Sequence, residues 1–487
     1  MLLPDSFNSV THLSVSRSLT GEALHWFAWL TVIFLLVPAI MVFLPGLALL
    51  SLGVAVVSIW MMHRLVSVFD LRQLTIPAFF YYLYFAVILI PGWFIYADEI
   101  TPSRGRFLFG IESVLLTVPL GIAIANVFFG FRRRSIRAYF ARPVEREDFD
   151  DRAVRLFFLF FTGAIVVVLI YIREARTIPL FYLIRHPGET IVAAMLREDS
   201  LKLLKSHLTY LYAVLRGTIF PFLILFAFAR YRGGKKRPWR SLFLLSLLGG
   251  VFYGSLTIEK SPVAAIVGML FLLYYLLRGG RVGRLASVAA VMLFLCFPLA
   301  VILLAYNGSE GGTLWGAMRA IGIRLFYSPA QIVYAYFEVF PAVIPFQHGA
   351  SIVKLASLVG WKSLDIPNAV GMYMTAGADL NTISANSCFI GNLNADFGLV
   401  GVVLGAVLAG FLMQAASIYF CSRPKTAATL SAHTICMWAF GLLVTTALPT
   451  TLLSGGVAFA LLLSWIFRSP AQRDDYRGRE SRPVFAD

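Results

Sequence analysis

The chain has 487 residues, of which 59% are hydrophobic and only 14% charged, with a mean hydropathy of +0.79. That profile excludes a water-soluble globular protein of this size and predicts an all-α, polytopic helical bundle in a lipid bilayer. The formal charge of +16 is mainly a topology signal, because the basic residues concentrate in connections between apolar runs, and no nucleic-acid partner is expected.

A bilayer core of about 30 Å needs roughly 20 apolar residues per helix. About twelve runs approach that length: 23–44, 45–62, 74–97, 108–130, 154–172, 208–229, 241–257, 262–277, 285–306, 397–420, 432–448 and 450–467. The first two share a turn at Pro45. The first run is long for a secretory signal and has no small-residue cleavage site, so it reads as an uncleaved span. With the N-terminus inside, the inner connections and the tail carry 27 of the 41 basic residues, which sets the orientation. "FRRRSIRAYFARPVER" and "RYRGGKKRP" then read as solvated inner loops against anionic lipid. Both termini are expected in the cytoplasm. The chain divides into spans within 1–306, with an outer segment at 173–207, then a large outer segment at 307–396, further spans over 397–467 and a tail at 468–487.

The first outer segment, "REARTIPLFYLIRHPGETIVAAMLREDSLKLLKSH", is net positive on the side where such charge is disfavoured. Its Arg176 and Arg197 either snorkel to lipid headgroups or meet an anionic substrate. Next comes "LTIEKSP", between runs 241–257 and 262–277, where only a tight turn fits. It places Glu259 and Lys260 on the outer face. Glu112 and Arg216 are the main ionisable groups within spans.

The second outer segment opens on a hinge, "NGSEGG", and continues "TLWGAMRAIGIRLFYSPAQIVYAYFEVFP". Ser328, Pro329 and Gln331 have the spacing of a helix start with a capping box. Arg324 lies one turn earlier, so this is either an anion site at a helix N-terminus or an ordinary capped helix. "IPFQHGASI" comes next, with His348, which is either structural or able to take a proton from a hydroxyl. In "AGADLNTISANSCFIGNLNADFG" the Asn, Asp and Ser side chains suit sugar hydroxyls. Trp315, Trp361 and Tyr373 either stack on sugars or belong to an interfacial aromatic belt.

Of the four cysteines, Cys296 and Cys436 fall within spans, Cys421 inside and only Cys388 outside, so no disulfide is expected. There is no CxxC or Cys/His cluster, no dinucleotide or P-loop glycine pattern and no Gly-x-Ser-x-Gly elbow. Neither a cofactor nor a metal is expected.

Over roughly residues 150–420 the pattern resembles the Wzy-type polymerases of O-antigen and exopolysaccharide repeat units, and the related O-antigen ligases, of the C-type membrane glycosyltransferase group. The residues that carry the resemblance are the positive outer segment with "IPLF", "LTIEKSP", "RLFYSPAQIVYAYFEVFP", "HGASI" followed by "IPN", and "SCFIGNLNADFGLVGVVLGAVLAGF". Family members often have an arginine at the junction where this chain has Lys260. The R-x10-G spacing of some polymerases is absent from the outer segments.

The resemblance implies an oligosaccharide repeat unit linked to undecaprenyl diphosphate as substrate, joined to another at the periplasmic face of a bacterial inner membrane. A chain-length regulator is an expected partner. Developing charge on the departing diphosphate requires fixed cations. Lys260 and Arg324 are the first choices, followed by Arg319 and Arg176, with Glu259 holding Lys260 before substrate arrives. His348 is the candidate base, with Asp379 and Asp396 as alternatives, and Asn368, Asn386, Asn392 and Asn394 are expected at the sugar. An O-antigen ligase needs the same cations. A lipid-linked oligosaccharide flippase would place more ionisable groups near mid-membrane.

Overall fold

The computed structural model describes residues 48–68, 70–145, 150–175, 177–186, 189, 192–193, 195–196, 206–234, 237–259, 261–281, 283, 313–350, 364–375 and 385–468. Most of these are helical, with no strand among them. In chain order they form α1 (Ala48–Val66), α2 (Ile76–Asp98), α3 (Arg104–Phe128), α4 (Arg134–Ala141), α5 (Asp151–Glu174), α6 (Pro179–Arg185), α7 (Tyr210–Gly234), α8 (Arg237–Ser255) and α9 (Ser261–Leu277). After these come α10 (314–339), α11 (Ile366–Met374), α12 (Phe389–Cys421), α13 (Ala427–Val444), α14 (Leu448–Leu452) and α15 (Val457–Ile466).

Seven of the described helices are long and apolar enough to cross a membrane: α2, α3, α5, α7, α12, α13 and the broken pair α14–α15. The protein is therefore a helical membrane protein. Helices α1, α8 and α9 fall on further expected runs, while 23–44 and 285–306 lie outside the described residues.

Local chemistry sets the helix starts. Thr75 accepts from the Ala78 N–H with Pro77 in the first turn of α2, and Asp365 does the same for Asn368 at α11. Thr426 and Thr429 form a reciprocal capping box at α13, removing N–H groups that hydrocarbon could not satisfy. Helix α3 crosses α12 where glycines face backbone. A Cβ on Gly121 would overlap the Val407 carbonyl, and one on Gly410 the Val118 carbonyl. Small residues permit this close approach, which gains dispersion contact where no hydrophobic effect drives association.

The basic connections meet at one end of the bundle. The Tyr275 hydroxyl donates to the Leu71 carbonyl and accepts from the Leu74 N–H, both at 2.8 Å. Arg142 donates to the Arg423 carbonyl at 3.0 Å, the Glu145 N–H to the Lys425 carbonyl at 3.0 Å, and the buried Lys425 Nζ to the Phe140 carbonyl at 3.3 Å. Because successive helices alternate in direction, the opposite end collects 98–104, the α8–α9 turn, 334–349, 385–398 and the α14–α15 break.

Two expectations change here. The helix start at Ser328 is not observed. Helix α10 begins at Leu314, where Thr313 caps Gly316, and runs through a π-turn at Ile323–Tyr327 directly into Ser328–Val339. Tyr327, not Ser328, precedes that last segment, in helical conformation and with no side-chain cap. Pro329 is tolerated because the π-turn absorbs the missing donor. There is accordingly no helix N-terminus beside Arg324. Similarly, α12 begins at Phe389 rather than at 397. Gly398, with φ of 63°, kinks it, so the last residues of the expected outer loop are a helical turn set at an angle to the span.

Candidate functional site

The end opposite the basic clasp has two polar groupings. The first is built on α7. Its π-turn, Leu215–Ile219, places Arg216 in the second position. Arg216 Nη1 lies 2.6 Å from Glu259 Oε2 and 3.4 Å from the buried Thr257 hydroxyl, and the guanidinium sits 5.9 Å from the Tyr212 ring centroid. Glu259 and Thr257 belong to the "LTIEKSP" turn, whose Ile258 has a φ of 52°. The turn is fixed from below by Tyr253, whose hydroxyl donates to the Tyr212 carbonyl at 3.0 Å. The first outer segment reaches it too: the Leu180 N–H of "IPLF" donates to the Leu256 carbonyl at 3.2 Å. Behind Arg216, the α14–α15 break packs on the π-turn, with Gly456 (φ of 102°) against Thr218.

The second grouping is a cap formed by α10, α11 and the chain on either side of α11. Arg106 on α3 donates to the Phe337 and Phe340 carbonyls at 2.6 and 3.1 Å, and the Thr101 and Tyr334 hydroxyls are bonded to each other. The Tyr336 hydroxyl donates to the Ala385 carbonyl at 3.0 Å, and the Ala385 N–H to the Pro367 carbonyl at 2.9 Å, drawing α11 and 385–388 together. The loop 347–349 is pinned to α12. Gln347 and His348 N–H groups donate to the Ala395 and Asp396 carbonyls at 2.9 Å, and the Gly349 N–H donates to Asp396 Oδ1 at 3.1 Å. Within the cap, Glu338 is half-buried. Burial first, and then the nearby Glu99 carboxylate, push its carboxyl above the ordinary glutamate value, opposed by a hydrogen bond with Thr101.

The sequence-selected residues divide accordingly. Glu259 is paired with Arg216, a residue that the hydropathy pattern placed in a span with no role at the site. Lys260, Arg176, Arg197 and Asp379 lie outside the described residues. Arg319 and Arg324 are exposed on α10, Arg324 occupying the second position of its π-turn as Arg216 does in its own. His348 exposes its side chain from a left-handed backbone with φ of 50°. Asp396 is buried beneath it, and Asn394 is buried with its amide donating to the Tyr336 carbonyl at 3.4 Å. Asn392 and Asn368 are half-buried, and Asn386 is exposed. Of the four asparagines, Asn394 is thus engaged in holding the cap. Glu112 on α3 accepts from Trp93 Nε1 at 3.0 Å. Among the described residues no group of three His, Cys, Asp or Glu side chains converges as a metal site would require.

No local signal marks Arg216 as the partner of Glu259: it falls inside the 208–229 run, and packing brings the two opposite charges together, where each offsets the other's desolvation.

Comparison of the chain with protein-family models, with curated proteins and with solved structures finds no match. The chain is a helical membrane protein with a polar cap at one end of the bundle and basic connections at the other.

Proposed function

We propose that the protein joins undecaprenyl-diphosphate-linked oligosaccharide repeat units into a surface polysaccharide at the periplasmic face of a bacterial inner membrane, releasing undecaprenyl diphosphate. The observation that carries this reading is the Arg216–Glu259–Thr257 grouping on the "LTIEKSP" turn, a guanidinium held at the capped end of the bundle.

In the reaction, a hydroxyl of one repeat unit attacks the anomeric carbon of the chain carried on a second lipid. The sugar–oxygen bond to the diphosphate breaks and negative charge grows on the departing oxygen. Fixed cations aimed at that charge lower the barrier, because they need no reorganisation as the charge develops. Arg216, Lys260 and Arg324 take that role, and Glu259 neutralises Arg216 until the diphosphate competes for it. His348, exposed on a rigidly pinned loop, receives the hydroxyl proton. Asn368, Asn386 and Asn392 remain for sugar contacts. The diphosphate bond stores the driving force, so the reaction uses no nucleotide sugar. A chain-length regulator would act on the same outer face.

A strain deleted for the gene tests the reading. Lipopolysaccharide capped with single repeat units, or loss of high-molecular-weight polysaccharide with repeat-unit export intact, is expected. Complete loss of capping would assign the protein as an O-antigen ligase instead, and accumulation of repeat units on the cytoplasmic leaflet would assign it as a flippase.

A further inference from the structure

One buried donor stands unused beside Arg216. Tyr212, one turn earlier on α7, is 2% exposed, and among the described residues no nitrogen or oxygen meets its hydroxyl in hydrogen-bonding geometry. The ring itself is firmly held. It lies between Tyr171 of α5 and Tyr253 of α8, with centroids 4.8 and 4.7 Å away, and its backbone carbonyl accepts from the Tyr253 hydroxyl. A buried hydroxyl without a partner forfeits its hydration, a cost that a phenylalanine ring would avoid.

The groups around that hydroxyl indicate its use. Tyr171, Arg216, Glu259 and Thr257 surround it, Thr257 lying beside it without the alignment of a full hydrogen bond. The Thr257 hydroxyl is in turn 3.4 Å from Arg216 Nη1. A guanidinium and two hydroxyls therefore border one seat, in which a Glu259 carboxylate oxygen lies 2.6 Å from Arg216, with both partners of that pair partly exposed to solvent. The turn that delivers the carboxylate is strained, because Ile258 holds a φ of 52°, a conformation that β-branched residues strongly disfavour. A phosphate presents an O–P–O edge of the same form as the O–C–O edge of a carboxylate. Such an anion fits the seat once Glu259 withdraws.

We propose that the Tyr212 hydroxyl is a donor to a phosphate-type oxyanion, which displaces Glu259 and is held between Arg216, Thr257 and Tyr212. Glu259 occupies the anion's place in the free protein, and its withdrawal leaves all three donors facing the ligand. Tyr212 is thereby a further binding residue of the site assigned above to the departing diphosphate, and the inference rests on that reading only for which anion takes the seat.

The test uses the full chain purified in a neutral detergent, with inorganic diphosphate and farnesyl diphosphate as probes. Binding is followed by calorimetry and stability by thermal unfolding. Tyr212→Phe is expected to melt at or above the wild-type temperature, because it removes an unbonded hydroxyl, yet to bind inorganic diphosphate about ten-fold more weakly, the loss of one hydrogen bond to a charged acceptor. A lower melting temperature with unchanged affinity would make the hydroxyl purely structural and overturn the proposal, as would wild-type affinity in a stable variant or no binding of either probe by the wild type. Glu259→Gln weakens the competing group and is expected to bind inorganic diphosphate more tightly. Weaker binding there would show that the carboxylate does not occupy the anion's seat. Farnesyl diphosphate is expected to bind more tightly than inorganic diphosphate, and equal binding would overturn a lipid-linked source for the anion. Neither probe requires chain extension, so failure of the polymerase reading in the deletion strain and failure of this seat are read separately.

Discussion

Arg216 on α7 and Glu259 in the α8–α9 turn are joined by a 2.6 Å ion pair, with side chains 26% and 21% exposed. The contact ties the first turns of one span to the connection between the next two. It also places a guanidinium, rather than an ammonium alone, at the junction singled out by the sequence. A guanidinium presents several donors in a plane and engages phosphate oxygens two at a time. With Thr257 already bound to the same nitrogen, the group's orientation is set before any ligand arrives.

The pair should be measurable by a double-mutant cycle. Removing one partner leaves the other charge poorly solvated, so Arg216→Ala and Glu259→Ala should each cost about 1–3 kcal/mol, discounted for the water that reaches both groups. The double variant should cost less than the sum of the two. Additive losses in detergent unfolding would show that the two side chains do not interact.

On activity, Arg216→Ala, Lys260→Ala and Arg324→Ala should each stop chain extension while expression and insertion are retained. Loss of one preorganised donor typically lowers kcat by about 10²–10³. Gel analysis of surface polysaccharide in complemented deletion strains reads the outcome. Wild-type chain lengths in all three variants would remove the diphosphate assignment.

His348 and Asp396 call for different tests. His348 holds a left-handed backbone that costs a non-glycine residue about 1–2 kcal/mol, so His348→Gly should fold at least as well as the wild type. If the imidazole takes the proton, this stable variant still loses chain extension, and normal polymer from it would exclude that role. Asp396 Oδ1 accepts from the Gly349 N–H. Asp396→Asn keeps an oxygen there and should stay stable, whereas Asp396→Ala should lose about 1–3 kcal/mol. Comparing melting temperatures and polymer length separates support of the loop from chemistry.

Glu338 gives the cap a pH dependence. Its folded-state carboxyl titrates above the ordinary value of 4.5, through burial first and Glu99 second. The folded state therefore binds more protons than the unfolded chain between these two values, and stability falls as pH rises through that window. Glu338→Gln should flatten the fall and raise the melting temperature on its neutral side. An unchanged pH profile in the variant would refute the assignment.

The α3–α12 crossing predicts a steric effect. Gly121→Val and Gly410→Val each drive a side chain into backbone of the facing helix, which cannot yield as a flexible side chain would. Each should destabilise by about 1–3 kcal/mol or more, as overpacking at a tight contact does. A melting temperature within about a degree of wild type for both would show that the helices can separate without loss.

Hydropathy alone located several of the membrane-crossing helices. Apolar runs at 74–97, 108–130, 154–172, 262–277 and 450–467 match observed helices within a few residues, because a lipid-facing helix must satisfy its own backbone and local composition reports this. Charge placement likewise marked the basic connections gathered at one end of the bundle, and Glu259 at the other.

Which groups face one another came from packing. Glu259 meets Arg216 because α7 packs beside the α8–α9 turn, a separation along the chain that no local pattern encodes. Asn394, which in sequence looks like a sugar ligand, turns inward to the Tyr336 carbonyl. Ser328 has the spacing of a helix start, yet the π-turn before it continues α10 from Leu314. For Glu259 and Asn394, local propensity offered several uses for a polar group, and packing selected one by supplying a partner.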